Sequence, residues 1–276
     1  MRVACVGHVE WIEFARVERV PAPGEIVHTI EAWEEPGAGG SVTAAQLAKL
    51  AGGATFFTAL GDDALGRRAH HELQALGLRV EVAWRDEPQR RAFVFVDSAG
   101  ERTITVMGSK LGPNGADALP WLELAEADAV YFTAGDAEAV TAAREARCLV
   151  ASARTLATLR EAGEPLDVLV ASATDEGERY EPGDLLPEPE LIVRTAGAAG
   201  GEWVRSQGQA GRWEATPLPG PISDAYGCGD SFAGGLTYGL GAGLDVAEAS
   251  QIGARCGAAC FTGRGPYSAQ LSAADL

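Results

Sequence analysis

The chain has 276 residues, 46% hydrophobic and 22% charged, enough to bury the core of one large domain. Its net charge of −17 argues against a nucleic-acid backbone or an anionic membrane as main partner, because both attract basic surfaces. No run approaches the roughly 18 to 20 apolar residues of a membrane span, and Met1-Arg2-Val3-Ala4-Cys5-Val6-Gly7 enters a buried strand with no secretion-signal pattern, so a cytoplasmic location is expected.

In chain order, β-rich runs at 2–6, 55–60, 129–133, 148–151, 168–171 and 191–194 alternate with Ala/Leu-rich segments of helical period at 41–51, 66–76, 137–146 and 154–163. Strand, helix, strand in repetition predicts a mainly parallel sheet with helices on both faces. Two segments break the rhythm, at about 9–34 and 79–107. The second alternates as Phe93-Val94-Phe95-Val96 and Thr103-Ile104-Thr105-Val106 about a turn at 97–100. Both read as antiparallel hairpin material forming a small β flap beside a single domain spanning 1–276. Trp203 and Trp213 flank a Gly/Gln turn and read as hairpin packing.

The five cysteines, Cys5, Cys148, Cys228, Cys256 and Cys260, are odd in number and form no C-x-x-C, which supports neither a zinc ribbon nor a disulfide framework. His70-His71-Glu72 lacks the H-E-x-x-H spacing of a metal helix and reads as surface. Trp11 and Trp33 suit either ring stacking on a ligand or packing.

The sharpest signal is Asp224-Ala225-Tyr226-Gly227-Cys228-Gly229-Asp230-Ser231-Phe232-Ala233-Gly234-Gly235. Gly227 and Gly229 allow a tight turn, and Phe232, Leu236 and Leu240 form one face of the helix that follows. Free amides at a helix start make an anion site that needs no lysine. Asp230, at the mouth of that turn, reads either as a dipole-favoured helix residue or as a base that takes a hydroxyl proton while the amides hold a transferring phosphoryl group. No G-x-x-x-x-G-K-[ST] is present, and G-x-G-x-x-G fails because position 232 is Phe.

Residues 224–235 resemble the D-T-x-G-A-G-D signature of the ribokinase-like (PfkB) carbohydrate kinases, with Ala225 for Thr and Cys228 for Ala. Further segments follow in the family's order: Pro23-Gly24-Glu25, Gly37-Ala38-Gly39-Gly40 with Ala44 to Leu50, Gly61-Asp62-Asp63 with Gly66, Gly100-Glu101-Arg102-Thr103-Ile104, and Thr195-x-Gly197-x-x-Gly200. The resemblance implies a three-layer α/β/α sandwich with a β lid. It also implies ATP- and Mg²⁺-dependent phosphoryl transfer to a hydroxymethyl group of a sugar, sugar derivative or nucleoside. Carried over residue by residue, Asp230 is the base and Gly227, Cys228 and Gly229 supply the anion hole. Asp224 matches a position that helps hold a monovalent cation, K⁺, in many members. Thr195, Gly197 and Gly200 match the loop lining the nucleotide, and Gly263 and Gly265 fall where the family covers the adenine. Gly39 and Gly40 match sugar contacts, and the lid implies a homodimer as one arrangement and a monomer as the other.

Departures from the family pattern qualify these assignments. Where the family places a sugar-gripping Asp, this chain has Ile12, flanked by Glu10 and Glu13, which either replace it or are solvated. The Gly-Gly turn lacks the family's following Asn, with Val42 or Ala44 in its place. The N-x-x-E motif that organises Mg²⁺ waters becomes Ser172 and Asp175, with Glu176 beside it. The alternative function is therefore a sugar- or nucleotide-binding protein on the kinase fold with little or no catalysis.

Overall fold

The computed structural model describes residues 1–276. β1 (Val3–Val6) is wholly buried because it lies mid-sheet and serves two cores. Val3 and Cys5 face one hydrophobic cluster, Ala4 and Val6 the other, as the two-residue period of a strand requires. The chain continues through β2 (Glu10–Arg16), β3 (Glu31–Gly37), α1 (Gly39–Ala51), β4 (Ala54–Gly61), α2 (Ala64–Ala75), β5 (Leu78–Arg85), β6 (Arg91–Val96) and β7 (Arg102–Met107). It then runs through β8 (Ala129–Phe132), α3 (Ala137–Arg144), β9 (Leu149–Ser152), α4 (Leu156–Ala162), β10 (Val168–Ser172) and β11 (Leu191–Thr195). It closes with β12 (Gly201–Arg205), β13 (Ala210–Trp213), α5 (Cys228–Gly241) and α6 (Val246–Cys260).

Nine strands form the main sheet in the order β13-β12-β11-β10-β9-β8-β1-β4-β5, parallel except for the terminal β12–β13 hairpin. On one face Leu47, Leu73, Phe232, Leu236 and Ala249 bring α1, α2, α5 and α6 onto Cys5, Phe56 and Tyr131. On the other, Ala139, Val140 and Leu159 bring α3 and α4 onto Val6, Phe57 and Phe132. The three-layer α/β/α sandwich is thus built by strict alternation. No helix is long and apolar enough to cross a membrane.

The second sheet, β3-β2-β6-β7, is the β lid. Its two hairpins, β2–β3 and β6–β7, are joined by a parallel β2–β6 pair. The turn at 97–100 forms as expected, with the Asp97 side chain accepting from the Ala99 and Glu101 amides. The lid boundaries need correction. Leu78–Arg85 pairs in parallel with β4 along its whole length and is the edge of the main sheet, because α2 returns it there as a crossover. Residues 17–30 carry no strand and β3 runs on to Gly37, so the lid strands cover 10–16, 31–37, 91–96 and 102–107 rather than 9–34 and 79–107.

Ile12, Phe14, Ala92, Val94 and Val96 cluster with Val42, Ala45, Tyr226 and Tyr267. The lid therefore has a greasy inner face seated on α1 and on the turn before α5. Phe14 stacks on Trp33 at 4.7 Å and meets Tyr226 edge-on at 5.2 Å. Trp11 is buried with Arg68 over its ring. Both lid tryptophans are thus structural.

Candidate active site

Parallel strands place their carboxyl ends at one edge of the sheet, and the loops that leave them meet there. Gly227 adopts φ +82°, the left-handed conformation that lets the chain reverse into α5, and Cys228, Gly229 and Asp230 open that helix. A side chain at Gly229 would meet no protein atom within 4 Å, so space stands open over the first turn of α5 where its free amides and positive dipole end lie.

Asp230 faces the start of α1. A Cβ added to Gly39 would stand 2.9 Å from its Oδ1, and Thr43 Oγ1 donates to its carbonyl at 3.1 Å. Gly40 is pressed against the exit of β1: a Cβ there would lie 2.6 Å from the His8 carbonyl oxygen and 2.7 Å from its amide nitrogen. The candidate base therefore lies against the α1 turn, which packs in turn on the β1 exit. Burial is the main cause that lifts Asp230 to about 6, with Glu178 next and Arg154 and Arg102 opposing.

Asp224 is fully buried and raised by that burial. Its Oδ1 accepts the Tyr226 amide at 2.9 Å and its Oδ2 the Gly265 amide at 3.1 Å. The carboxylate thus staples the 263–265 loop to the turn before α5. That loop presses on the lid: a Cβ at Gly265 would come within 1.9 Å of Glu35 Oε1, an oxygen that also accepts from Trp33 Nε1 at 2.9 Å. The structural partners of 263–265 are thus Asp224 and β3.

Thr195 ends β11 beside Ser172, its register partner on β10. The loop then turns through Gly197 to Gly200, against the Trp213 carbonyl. Trp213 stacks on Phe232 of α5 at 5.5 Å, so the hairpin reading of Trp203 and Trp213 holds. The Thr195–Gly200 loop and α5 are fixed to each other through that ring.

The acidic candidates separate. Glu10 is buried and ion-paired with Arg90 at 2.7 Å, on the strand that leaves His8. Glu13 pairs with Arg91, on the face opposite Ile12, and does not join the Asp230 surroundings. Asp175 is bound to Arg154 at 2.5 Å. Glu176 is exposed, and Glu178, two residues on, is the carboxylate that reaches both Arg154, at 2.9 Å, and the field of Asp230. The 3₁₀ turn over Glu176–Glu178 rotates Glu176 outward, a local twist that N-x-x-E spacing does not reveal. No three His, Cys, Asp or Glu side chains converge as a metal cage.

With this geometry, the sequence matches the pfkB family carbohydrate kinase model over residues 1–176 and again over 174–273. The chain belongs to the pfkB family. Its fold matches ribokinase from Thermotoga maritima with a TM-score of 0.80 at 20% identity, over 100% of this chain and 97% of that one. Adenosine kinase from Sinorhizobium meliloti matches with a TM-score of 0.80 at 20% identity, over 99% and 98% of the two chains. Arabidopsis thaliana ribokinase, solved with ribose and ATP, matches with a TM-score of 0.76 at 17% identity, over 99% and 96%. Among curated proteins none matches the chain.

Several residues of this pfkB-family site carry no motif. His8 is buried at the β1 exit with Nδ1 unpartnered, and burial followed by Lys110, Arg90 and Arg154 holds its pKa well below the usual value. Lys110 follows β7 and is pushed down to about 8, by burial first and then by Arg90 and Arg154, against Glu10. Arg102 of β7 pairs across with Val96 and so shares the lid's inner face, where its charge reaches Asp230, Asp224 and Cys228. Gln89 locks the segment before Arg90 in place, donating to the Val9 carbonyl and accepting the Gly61 amide. The Gly61-Asp62-Asp63 motif serves the same end: Asp63 caps α2 through the Gly66 amide and accepts the Gln89 amide at 2.9 Å.

Proposed function

We propose that the chain transfers the γ-phosphoryl group of ATP to a hydroxymethyl group of a sugar, sugar derivative or nucleoside. The observation that carries this reading is the Asp230 carboxylate beside Gly39, at the mouth of an amide-lined helix start with open space above it. Asp230 takes the hydroxyl proton as the oxygen bonds to γ-phosphorus. The bond from γ-phosphorus to the β–γ bridging oxygen breaks, ADP leaves, and the proton passes from Asp230 to solvent. The amides of Gly227, Cys228 and Gly229 stabilise the charge on the transferring group. Thr195, Gly197 and Gly200 line the nucleotide, with Gly263 and Gly265 supporting its far side through Asp224. Arabidopsis ribokinase with ribose and ATP, and an adenosine kinase of the same fold, are consistent with this class.

Magnesium entering with the nucleotide takes most of its ligands from phosphate and water, so one or two carboxylates suffice, and Glu178 with Asp175 are those beside the site. K⁺ is assigned to the Asp224 loop junction on the resemblance. A cytoplasmic location goes with ATP use. A homodimer through the lid has the exposed β7 strand, with Ile104, Val106 and Met107, as its candidate surface.

Because Asp230 sits near 6, kcat/KM should fall as pH drops through about 6, where the base becomes protonated. Glu178 raises Asp230 through its charge, so Glu178→Gln should move that acid limb to lower pH. A pH–rate profile of both proteins checks it, and an unmoved or upward-moved limb contradicts the coupling.

A second reading, binding without catalysis, is favoured by Ile12, whose side chain fills the apolar lid cluster where the family grips sugar. Acceptor-dependent ADP release that disappears in Asp230→Asn decides for the kinase. Thermal stabilisation by ATP or sugar with no ADP release decides for the binder.

A further inference from the structure

We propose that Thr133, just past the carboxyl end of β8, is a second contact for the acceptor hydroxyl. Its Oγ1 donates to the oxygen whose proton Asp230 removes, and the two side chains hold that oxygen in the space left by the missing side chain of Gly39. The inference rests on the kinase reading and adds an acceptor-binding residue to it.

The point where a Cβ on Gly39 would stand is 2.9 Å from Asp230 Oδ1 and 3.5 Å from Thr133 Oγ1. An oxygen lodged above Gly39 therefore lies within reach of both groups, of which the carboxylate accepts and the hydroxyl donates. Gly39 and Asp230 are themselves only half-buried, so the space between them reaches solvent. Strand alternation explains why residue 133 arrives here. Tyr131 belongs to the cluster beneath α1 and α5, and two residues on the chain projects to the same side. The Thr133 amide donates to the Val6 carbonyl at 2.9 Å, and a Cβ on Gly7 would stand 2.9 Å from its Cγ2. Backbone and methyl are thus both held, and a β-branched side chain so held has little freedom left to turn its hydroxyl elsewhere.

Thr133 is only 3% exposed, and its Oγ1 makes no hydrogen bond within the protein. The neighbouring hydroxyls are already engaged: Thr43 donates to the Asp230 carbonyl at 3.1 Å and Ser41 to the Gly37 carbonyl at 2.6 Å. A polar group so enclosed is rarely left unpaired unless something outside the chain completes it. The reaction has a use for such a contact. A primary hydroxyl turns freely about its C–C bond, and a single hydrogen bond to Asp230 leaves its lone pairs unaimed. A donor on the other side fixes the oxygen with one lone pair free for γ-phosphorus, and Thr133 keeps its own proton throughout.

Two substitutions separate the hydroxyl from the packing. Thr133→Val exchanges the hydroxyl for a methyl and keeps the contact with Gly7, whereas Thr133→Ser keeps the hydroxyl and loses the methyl. ADP release is measured with MgATP and D-ribose, D-fructose, D-glucose or adenosine, each of which carries a hydroxymethyl. With the acceptor that the wild type uses, Thr133→Val is expected to lower kcat/KM for that acceptor ~10- to 100-fold, as loss of a hydrogen bond in a desolvated site does, and Thr133→Ser by no more than about threefold. The ATP KM and the melting temperature of Thr133→Val should stay near wild type. The acid limb of its kcat/KM profile should also stay in place, because the hydroxyl meets the acceptor and not the base. Full activity in Thr133→Val overturns the proposal, and so does an equal loss in Thr133→Ser, which would make the methyl the part that matters. An acid limb displaced upward overturns it too, since Thr133 would then be acting on the Asp230 carboxylate. If none of the four compounds gives ADP, the kinase reading fails. Thermal shifts with the same compounds then decide alone: stabilisation that is weakened in Thr133→Val and kept in Thr133→Ser sustains the contact, and its absence ends it.

Discussion

Asp230→Asn is expected to lower kcat by about 10²- to 10⁴-fold, the range for loss of a general base, while raising the melting temperature near neutral pH. Both effects have one cause. Enclosure by α1, the turn before α5 and the Glu178 charge lifts the folded-state pKa to about 6 from an ordinary 3.8. A carboxyl whose folded pKa is raised contributes stability that is fully present below the unfolded value and is lost as pH rises through the folded one. Above pH ~6 the protein therefore carries an ionised, poorly solvated carboxylate, a cost of about 1–3 kcal/mol on linkage arithmetic. Asparagine keeps the shape and escapes the charge. The stabilisation should be clear at pH 7.5 and vanish below pH ~4, where Asp230 is protonated in both states. Turnover assays and thermal melts at the two pH values check it. A mutant with wild-type kcat, or one less stable at pH 7.5, would remove Asp230 from its role.

Gly40→Ala and Gly39→Ala, neighbours in sequence, should fail in different ways. At Gly40 the new methyl would meet backbone: His8 oxygen at 2.6 Å, His8 nitrogen at 2.7 Å and Gly7 carbonyl carbon at 2.8 Å. Neither β1 nor α1 can yield without disturbing the centre of the sheet, so a loss of about 1–3 kcal/mol or more is expected, as for overpacked cores. At Gly39 the obstacle is the Asp230 carboxylate at 2.9 Å, a side chain that can swing. Gly39→Ala should therefore leave the melting temperature near wild type and lower kcat/KM by displacing the base. Denaturant titration beside steady-state kinetics separates the two. Equal destabilisation would mean that Asp230 is held as rigidly as backbone.

The α/β rhythm and the Asp224–Gly235 turn were legible because they are local: strand and helix periods, two glycines and a carboxylate lie within a few residues of one another. β5 was misplaced because Leu78–Arg85 alternates like a lid strand, and only the crossover through α2 commits it to β4. The capping box of Asp245 and Glu248 marks the start of α6 within four residues of sequence. Glu178 lay hidden because the 3₁₀ turn shifts the useful carboxylate two places past the motif. His8 and Arg90 are brought together by Gly40 and Gln89, contacts across distant segments that no single-sequence pattern encodes. Lys110 alone left a trace, as one of two lysines in an arginine-rich chain.

The parallel pairing of β2 with β6 sets the order in which the molecule can assemble. It sets Trp11 against Arg91 and Arg16 against Val96, across the whole stretch of β3, α1, β4, α2 and β5. That loop is closed at lowest entropic cost only after the intervening strands and helices have packed. The inner face of the lid then docks on Val42, Ala45 and Tyr226, residues of elements that must already be in place. On this contact-order argument the lid is expected to join last and to open before the sheet beneath it, which native-state hydrogen exchange of β2 and β6 against β1 and β8 checks.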